Sequence, residues 1–141
     1  MTRAEIVALL ERHRAAFKRQ DAEALAADFS DDSTFESPAH GVVTGRSAIT
    51  EVYRYWFTAF PDLLITWDEP LVDGDRAAVF WTFAGTSRGP FFGVIGAGSR
   101  VELRGAAEYR FGVGGITSVR HIYDFSSMLV KTGVLKVKPA T

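Results

Sequence analysis

Up to Phe60 the apolar residues of this chain recur at helical spacing, and from Leu63 onward they fall on every second position. One change of period along one chain means helices first and strands after. That is the α+β class, with helices packed on one face of an antiparallel sheet. The 141 residues suffice for a single domain, 1–141. A domain of that size buries roughly 68% of its unfolded surface and needs no covalent staples.

The helical part has clear punctuation. Thr2-Arg3-Ala4-Glu5 is a capping box, and Ile6, Leu9, Leu10, His13 and Phe17 form one inward stripe behind it. Asp21 caps a second, short helix through Ala22, Leu25 and Phe29 before Ser30–Ser33 breaks the pattern. A brief strand, Thr34 to Ser37, ends at Pro38. Gly45-Arg46-Ser47 opens a third helix whose apolar face is Ile49, Val52, Tyr53, Trp56, Phe57 and Phe60, closed by Pro61.

Alternation then takes over. Leu63, Ile65 and Trp67 precede the Asp73-Gly74-Asp75 hairpin turn, and Ala77, Val79, Trp81 and Phe83 share the next inner face. Gly85 to Ser99, with five glycines and a proline, reads as a long, loosely ordered connection roofing a site. Val101 to Phe111 alternates cleanly, Gly112–Gly115 turns the chain, and Thr117, Val119, His121, Tyr123 and Phe125 are expected on one face of the last strand. Ser126 to Lys138 reads as a helical turn or two with a basic tail.

Composition removes several functions. The absence of cysteine excludes disulfides, thiolate chemistry and zinc sites that need sulfur, and makes the reducing cytoplasm the expected compartment. Sixteen Lys and Arg against seventeen Asp and Glu, with no basic run, argue against a nucleic-acid partner. Ile6–Leu10 is bounded by Glu5 and Glu11, and no apolar run approaches the ~20 residues of a membrane span, so neither secretion nor a membrane is expected.

Several motifs also fail on context. Gly85-Thr86-Ser87-Arg88-Gly89 matches a nucleophile elbow, but Pro90-Phe91-Phe92-Gly93 follows where a helix is required. Gly93, Gly96 and Gly98 lack a βαβ unit, so no nucleotide cofactor is implied. His13, His40 and His121 have no ligand spacing, and no metal is expected. Asp31 and Asp32 fit a solvated turn, and Asp124 fits the cap of a terminal helix. Of the neighbours Glu36 and Ser37, one faces inward and the other does not, and the parity is open. His40, between Pro38 and Gly41, is either a rim or a surface residue.

What remains is an aromatic content of 13% and two imidazoles, His13 and His121, on otherwise apolar faces. Aromatic rings line apolar cavities. One such histidine is ordinarily a hydrogen-bonded core residue; two of them point toward acid–base work. Burial disfavours the imidazolium, so both pKa values should fall and the neutral rings should dominate near neutral pH.

Phe60-Pro61-Asp62, Gly85 through Gly93, Tyr109-Arg110-Phe111 with Gly115-Ile116, and Asp124 through Leu129 to Gly133 together resemble the SnoaL-like polyketide cyclases. That family lies in the nuclear-transport-factor-like superfamily with ketosteroid isomerase. The resemblance implies a cone-shaped α+β barrel, a curved antiparallel sheet around three N-terminal helices and an apolar pocket, and a homodimer formed through the outer sheet face. It places His121 where the cyclases carry an acid–base aspartate, and His13 where isomerases carry a helix-1 tyrosine. Ser37 falls at the isomerase base aspartate, and Ala107 at two further polar positions. The implied catalytic set is His121, His13 and Ser37. The implied substrate wall is Tyr53, Trp56, Phe60, Trp81, Phe83, Phe91, Ala107, Tyr109 and Tyr123.

The expected activity is a cofactor-independent cyclase or isomerase acting on a small, largely apolar, cyclic or polyketide-like molecule. The alternative is a non-catalytic binding module of the same fold. A third reading is a dimeric interaction protein using the strand face of Glu102, Arg104, Glu108 and Arg110. A histidine-dependent process should titrate between about pH 5 and 8, where simple apolar capture is flat.

Overall fold

The computed structural model describes residues 1–139, so the last two positions of the expected 1–141 domain lie outside the described residues. Four helices form: α1 (Arg3–Lys18), α2 (Ala22–Ala27), α3 (Arg46–Ala59) and α4 (Phe125–Lys131). The caps read from the sequence are in place. The Thr2 hydroxyl accepts from the Glu5 amide while the Glu5 carboxylate accepts from the Thr2 amide. Asp21 accepts from Ala24 N, and Asp124 from Ser127 N. Each such cap satisfies an amide that a helix start leaves without a partner, at a gain of about 1 kcal/mol. The α1 stripe of Ile6, Leu9, Leu10 and His13 is buried as its spacing requires.

The strands are β1 (Phe29–Ser37), β2 (Gly41–Thr44), β3 (Leu64–Trp67), β4 (Leu71–Asp73), β5 (Arg76–Thr86), β6 (Pro90–Phe91), β7 (Val94–Ile95), β8 (Arg100–Gly112) and β9 (Gly115–Tyr123). Seven form one curved sheet in the order β2-β1-β9-β8-β5-β3, with β4 also on β5. The architecture is the α+β cone, with one correction. The sheet is mixed rather than antiparallel, because β1 runs parallel to β9, Phe35 beside Val119 and Glu36 beside Arg120. A parallel partner must come from far along the chain, which no local pattern reveals. The strand expected at Thr34 also starts earlier, at Phe29, with a register irregularity between the two.

Two further differences have local causes. A bulge between Arg110 and Phe111 shifts the β8–β9 register, so Ile116 and Val119 both point inward while Thr117 is exposed. Phe125 lies in α4 rather than on the strand. The stretch from Gly85 to Ser99 is ordered. β5 continues to Thr86, the Arg88 and Gly89 amides donate to the Ala59 carbonyl, and β6 and β7 pair as a small hairpin. Its glycines serve close approach. A Cβ on Gly89 would lie 2.3 Å from the Thr58 carbonyl oxygen, and one on Gly96 2.3 Å from the Ser87 carbonyl carbon.

Candidate functional site

The concave face of the sheet and the helices α1, α3 and α4 enclose a cavity of about 80 Å³. Alternation along the strands builds most of its wall. β1 contributes Phe35 and Ser37, β5 contributes Trp81 and Phe83, β8 contributes Tyr109, and β9 contributes His121 and Tyr123. Tyr53, Trp56 and Phe57 of α3 and Phe17 of α1 face them. Gly105 gives the Trp81 indole its place. Trp81 sits opposite Gly105 on β8, and a Cβ there would come within 2.3 Å of the indole ring.

The non-aromatic polar groups of the wall gather on one seam. Glu36 pairs with Arg120 on parallel strands, so the next residues, Ser37 and His121, stand side by side facing inward. This resolves the open parity: Ser37 is inner and Glu36 is not. The His121 ring lies 5.2 Å from Phe35, 5.9 Å from Trp81 and 6.4 Å from Tyr109. Burial, together with the nearby His13, holds its pKa down to about 4. A neutral imidazole therefore dominates at pH 7. Burial pushes Tyr123 up to about 12 against smaller opposing bonds from Ser37 and the Ala39 backbone, so its hydroxyl keeps its proton. Burial likewise raises Tyr53 and Tyr109.

His13 occupies a different place from the one expected. It is fully buried but stands one layer behind the wall, its ring 5.9 Å from Tyr109, 6.4 Å from Trp67 and 6.5 Å from Tyr53. Asp28 draws it there: His13 Nδ1 is 3.0 Å from one carboxylate oxygen, and Arg12 Nε donates to the other at 2.9 Å. The neutral ring donates from Nδ1 to the carboxylate, leaving Nε2 a bare acceptor with no hydrogen-bond partner. Burial lowers the His13 pKa, which Asp28 only partly offsets. Burial alone would raise Asp28, but bonds from His13 and Arg12 outweigh it and leave the carboxyl below its ordinary value. His13 thus bears on the His121 pKa through charge without flanking a common space with it.

Other expected residues divide in the same way. Tyr53, Trp56, Trp81, Phe83, Tyr109 and Tyr123 line the cavity. Phe60 and Phe91 back it instead, Phe60 packed 5.1 Å from Phe83 and Phe91 5.2 Å from Trp56. Ala107 pairs with His121 across β8 and β9 and is buried without reaching the wall. Asp31 forms an ion pair with Arg46 at 2.6 Å. The His40 Nε2 accepts from the Trp56 indole at 2.9 Å.

Sequence reasoning left out Phe17, Phe35, Val52, Phe57, Leu63, Ile65, Trp67 and Met128 from the wall. All but Phe35 and Met128 belong to the periodic stripes already described, and Phe35 follows from Ser37 by period two. Met128 carried no signal. Among the described residues no three His, Asp or Glu side chains converge as metal ligands, and no helix is long and apolar enough to cross a membrane.

A curved sheet closing with helices over a largely aromatic hollow defines an α+β cone with an internal cavity. Residues 7–131 match the family model for SnoaL-like polyketide cyclase, and the chain belongs to that family. Among solved structures, AclR from Streptomyces galilaeus is 28% identical with a TM-score of 0.82, over 98% of this chain and 87% of its own. TsrD from Streptomyces laurentii is 24% identical with a TM-score of 0.81, over 96% of this chain and 99% of its own. TerC, co-crystallised with polyporic acid, is 18% identical with a TM-score of 0.74, over 90% of this chain and 97% of its own. The last two establish likeness of fold alone. No curated protein matches the sequence.

Proposed function

We propose that this protein binds a small, largely apolar ring compound in the cavity and moves a proton on it without a cofactor, as a cyclase or isomerase does. One observation carries the reading: a neutral imidazole, His121, stands on a largely apolar wall beside the hydroxyls of Ser37 and Tyr123. An uncharged base in an apolar pocket accepts a carbon-bound proton, and a protonated tyrosine can donate to the oxygen where charge collects. His13 stands behind the wall and does not touch the guest. TerC, which shares this fold, was co-crystallised with polyporic acid, a ring compound, and that supports the reading. At about 80 Å³ the cavity is tighter than the roughly 150 Å³ that admits benzene, so a ring enters only as half-buried side chains such as Phe17 and Phe57 turn aside.

The probe 5-nitrobenzisoxazole tests the base directly. Removal of its ring C–H proton drives N–O cleavage and releases a coloured cyanophenolate. The wild type should accelerate this opening, and His121→Ala should lose about 10²–10⁴-fold. The pH window differs from the sequence expectation. With His121 at about 4, the rate is flat over the range where an unperturbed histidine would titrate, and falls only as pH drops through about 4. An undiminished rate in His121→Ala would refute the assignment.

The absence of any carboxylate among the described lining residues favours a second reading, a binding module without turnover. Tight binding of the probe with no acceleration would identify it. We further propose a homodimer through the outer sheet face. Phe80, Ala106 and Ile122 stand in register across β5, β8 and β9, with Phe80 49% and Ile122 62% exposed.

A further inference from the structure

We propose that His40 is a positioning residue that holds the Trp56 indole in place on the cavity wall and releases it on protonation, making guest binding proton-dependent. The proposal rests on the cavity being the binding site. The Trp56 Nε1–H donates to His40 Nε2 at 2.9 Å. An accepting Nε2 places the ring proton of neutral His40 on Nδ1, and an imidazolium has no lone pair left to accept with. Protonation therefore replaces an attraction by two N–H groups facing each other.

The remaining contacts of the indole are aromatic. Trp56 packs against Phe60 at 6.0 Å, Phe83 at 6.0 Å and Phe91 at 5.2 Å. Such contacts hold a ring in a layer but fix its angle less tightly than a hydrogen bond does. His40 is itself anchored: its amide donates to the Ser37 hydroxyl at 3.1 Å, and its ring meets Tyr55 edge-on at 5.6 Å. The turn carrying it is thus tied to Ser37 on one wall of the cavity and to Trp56 on the opposite one.

The surroundings favour the neutral ring. α3 presents Tyr55 and Trp56, the β6–β7 hairpin presents Phe92, and β1 presents Ser37. The one titratable group among these is Tyr55, whose hydroxyl accepts from the Phe92 amide. Among the described residues no ion pair joins His40 to a carboxylate or a cation. Burial accordingly moves its pKa below the ordinary 6.5, so release occurs on the acid side of neutrality.

The test uses the full chain as wild type, His40→Phe and His40→Gln, with Trp56→Phe to assign the indole resonance. Proton–nitrogen spectra and fluorobenzene binding by fluorine NMR are followed from about pH 8 to about pH 4.5. In the wild type the Trp56 indole N–H shifts below pH 6.5, and fluorobenzene affinity falls with the same midpoint, by about 2- to 10-fold, the worth of one hydrogen bond. His40→Phe should have the low affinity at every pH. His40→Gln, whose amide oxygen accepts the indole proton and does not titrate, should keep the high affinity throughout, and it decides the matter should the Phe variant not fold. His13 and His121 are present in both variants, so their titration cancels.

An indole resonance that stays fixed in the wild type, or moves equally in His40→Gln, overturns the proposal. A moving resonance with constant affinity overturns the coupling to guest binding. No fluorobenzene binding at any pH, with the resonance still moving, overturns the cavity as binding site, and the coupling falls with it.

Discussion

Replacing His121 by leucine removes a group that the folded state keeps neutral and the unfolded chain does not. The folded pKa is about 4 against an ordinary 6.5, a depression. Above pH 6.5 neither state takes the proton, and the ring has no effect on pH dependence. Between 6.5 and about 4 only the unfolded chain binds it, so stability falls as pH falls, by up to about 1.4 kcal/mol per pH unit. Below about 4 both states are protonated and the loss levels off. Over the whole window the ceiling is about 3 kcal/mol, reduced by any water the cavity admits.

Urea unfolding followed by tryptophan fluorescence at a series of pH values measures this, provided the slope against urea stays constant. The wild-type minus His121→Leu stability should be level above pH 6.5 and decline below it. His40 is common to both proteins and drops out of the difference, and His13 enters it only through its charge on His121. A difference that stays level down to pH 4 would show that the imidazole is solvated or paired in the folded state, and the argument from burial would fail.

Three other perturbations follow from the same contacts. Gly105→Ala places a methyl within 2.3 Å of the Trp81 indole, so it should cost about 1–3 kcal/mol of unfolding free energy and change the tryptophan emission as the ring shifts. Asp28→Ala leaves the buried His13 Nδ1–H without its acceptor; a loss of about 1–3 kcal/mol is expected by urea unfolding, and none would mean the ring finds another partner. Ile122→Lys puts a charge at the β9 end of the outer apolar row, and if the proposed dimer forms through that row, light scattering should show a dimer for the wild type and a monomer for the variant.

The parts of the fold legible in the sequence are those whose physics is local. Thr2 with Glu5, Asp21 and Asp124 cap their helices because a side chain one turn away is all the geometry needs. Alternation along β5 and β8 likewise requires only neighbours on the same strand. What escaped were contacts closed by the tertiary structure. Asp28 lies fifteen residues from His13, across the turn between α1 and α2, and no spacing rule joins them. The bulge at Arg110 and Phe111 inverts a parity that was regular until that point. The glycines at 89 and 96 look like flexibility in a one-dimensional reading and prove to be tight backbone packing. For the site, the neutral His121 was recoverable from its apolar neighbours, whereas the withdrawal of His13 behind the wall depended on a carboxylate no pattern could assign.

The seam between β1 and β9 also bears on biosynthesis. Ser37 comes from an early strand, and His121 and Tyr123 come from the last one, so the polar corner of the hollow is assembled from neighbouring strands that lie far apart along the chain. A chain still emerging from the ribosome has helices and a first strand with its inner edge unmatched, and nowhere to hold a guest. Recognition and completion of folding therefore arrive together, and an interrupted product would expose that edge without ever gaining the binding site.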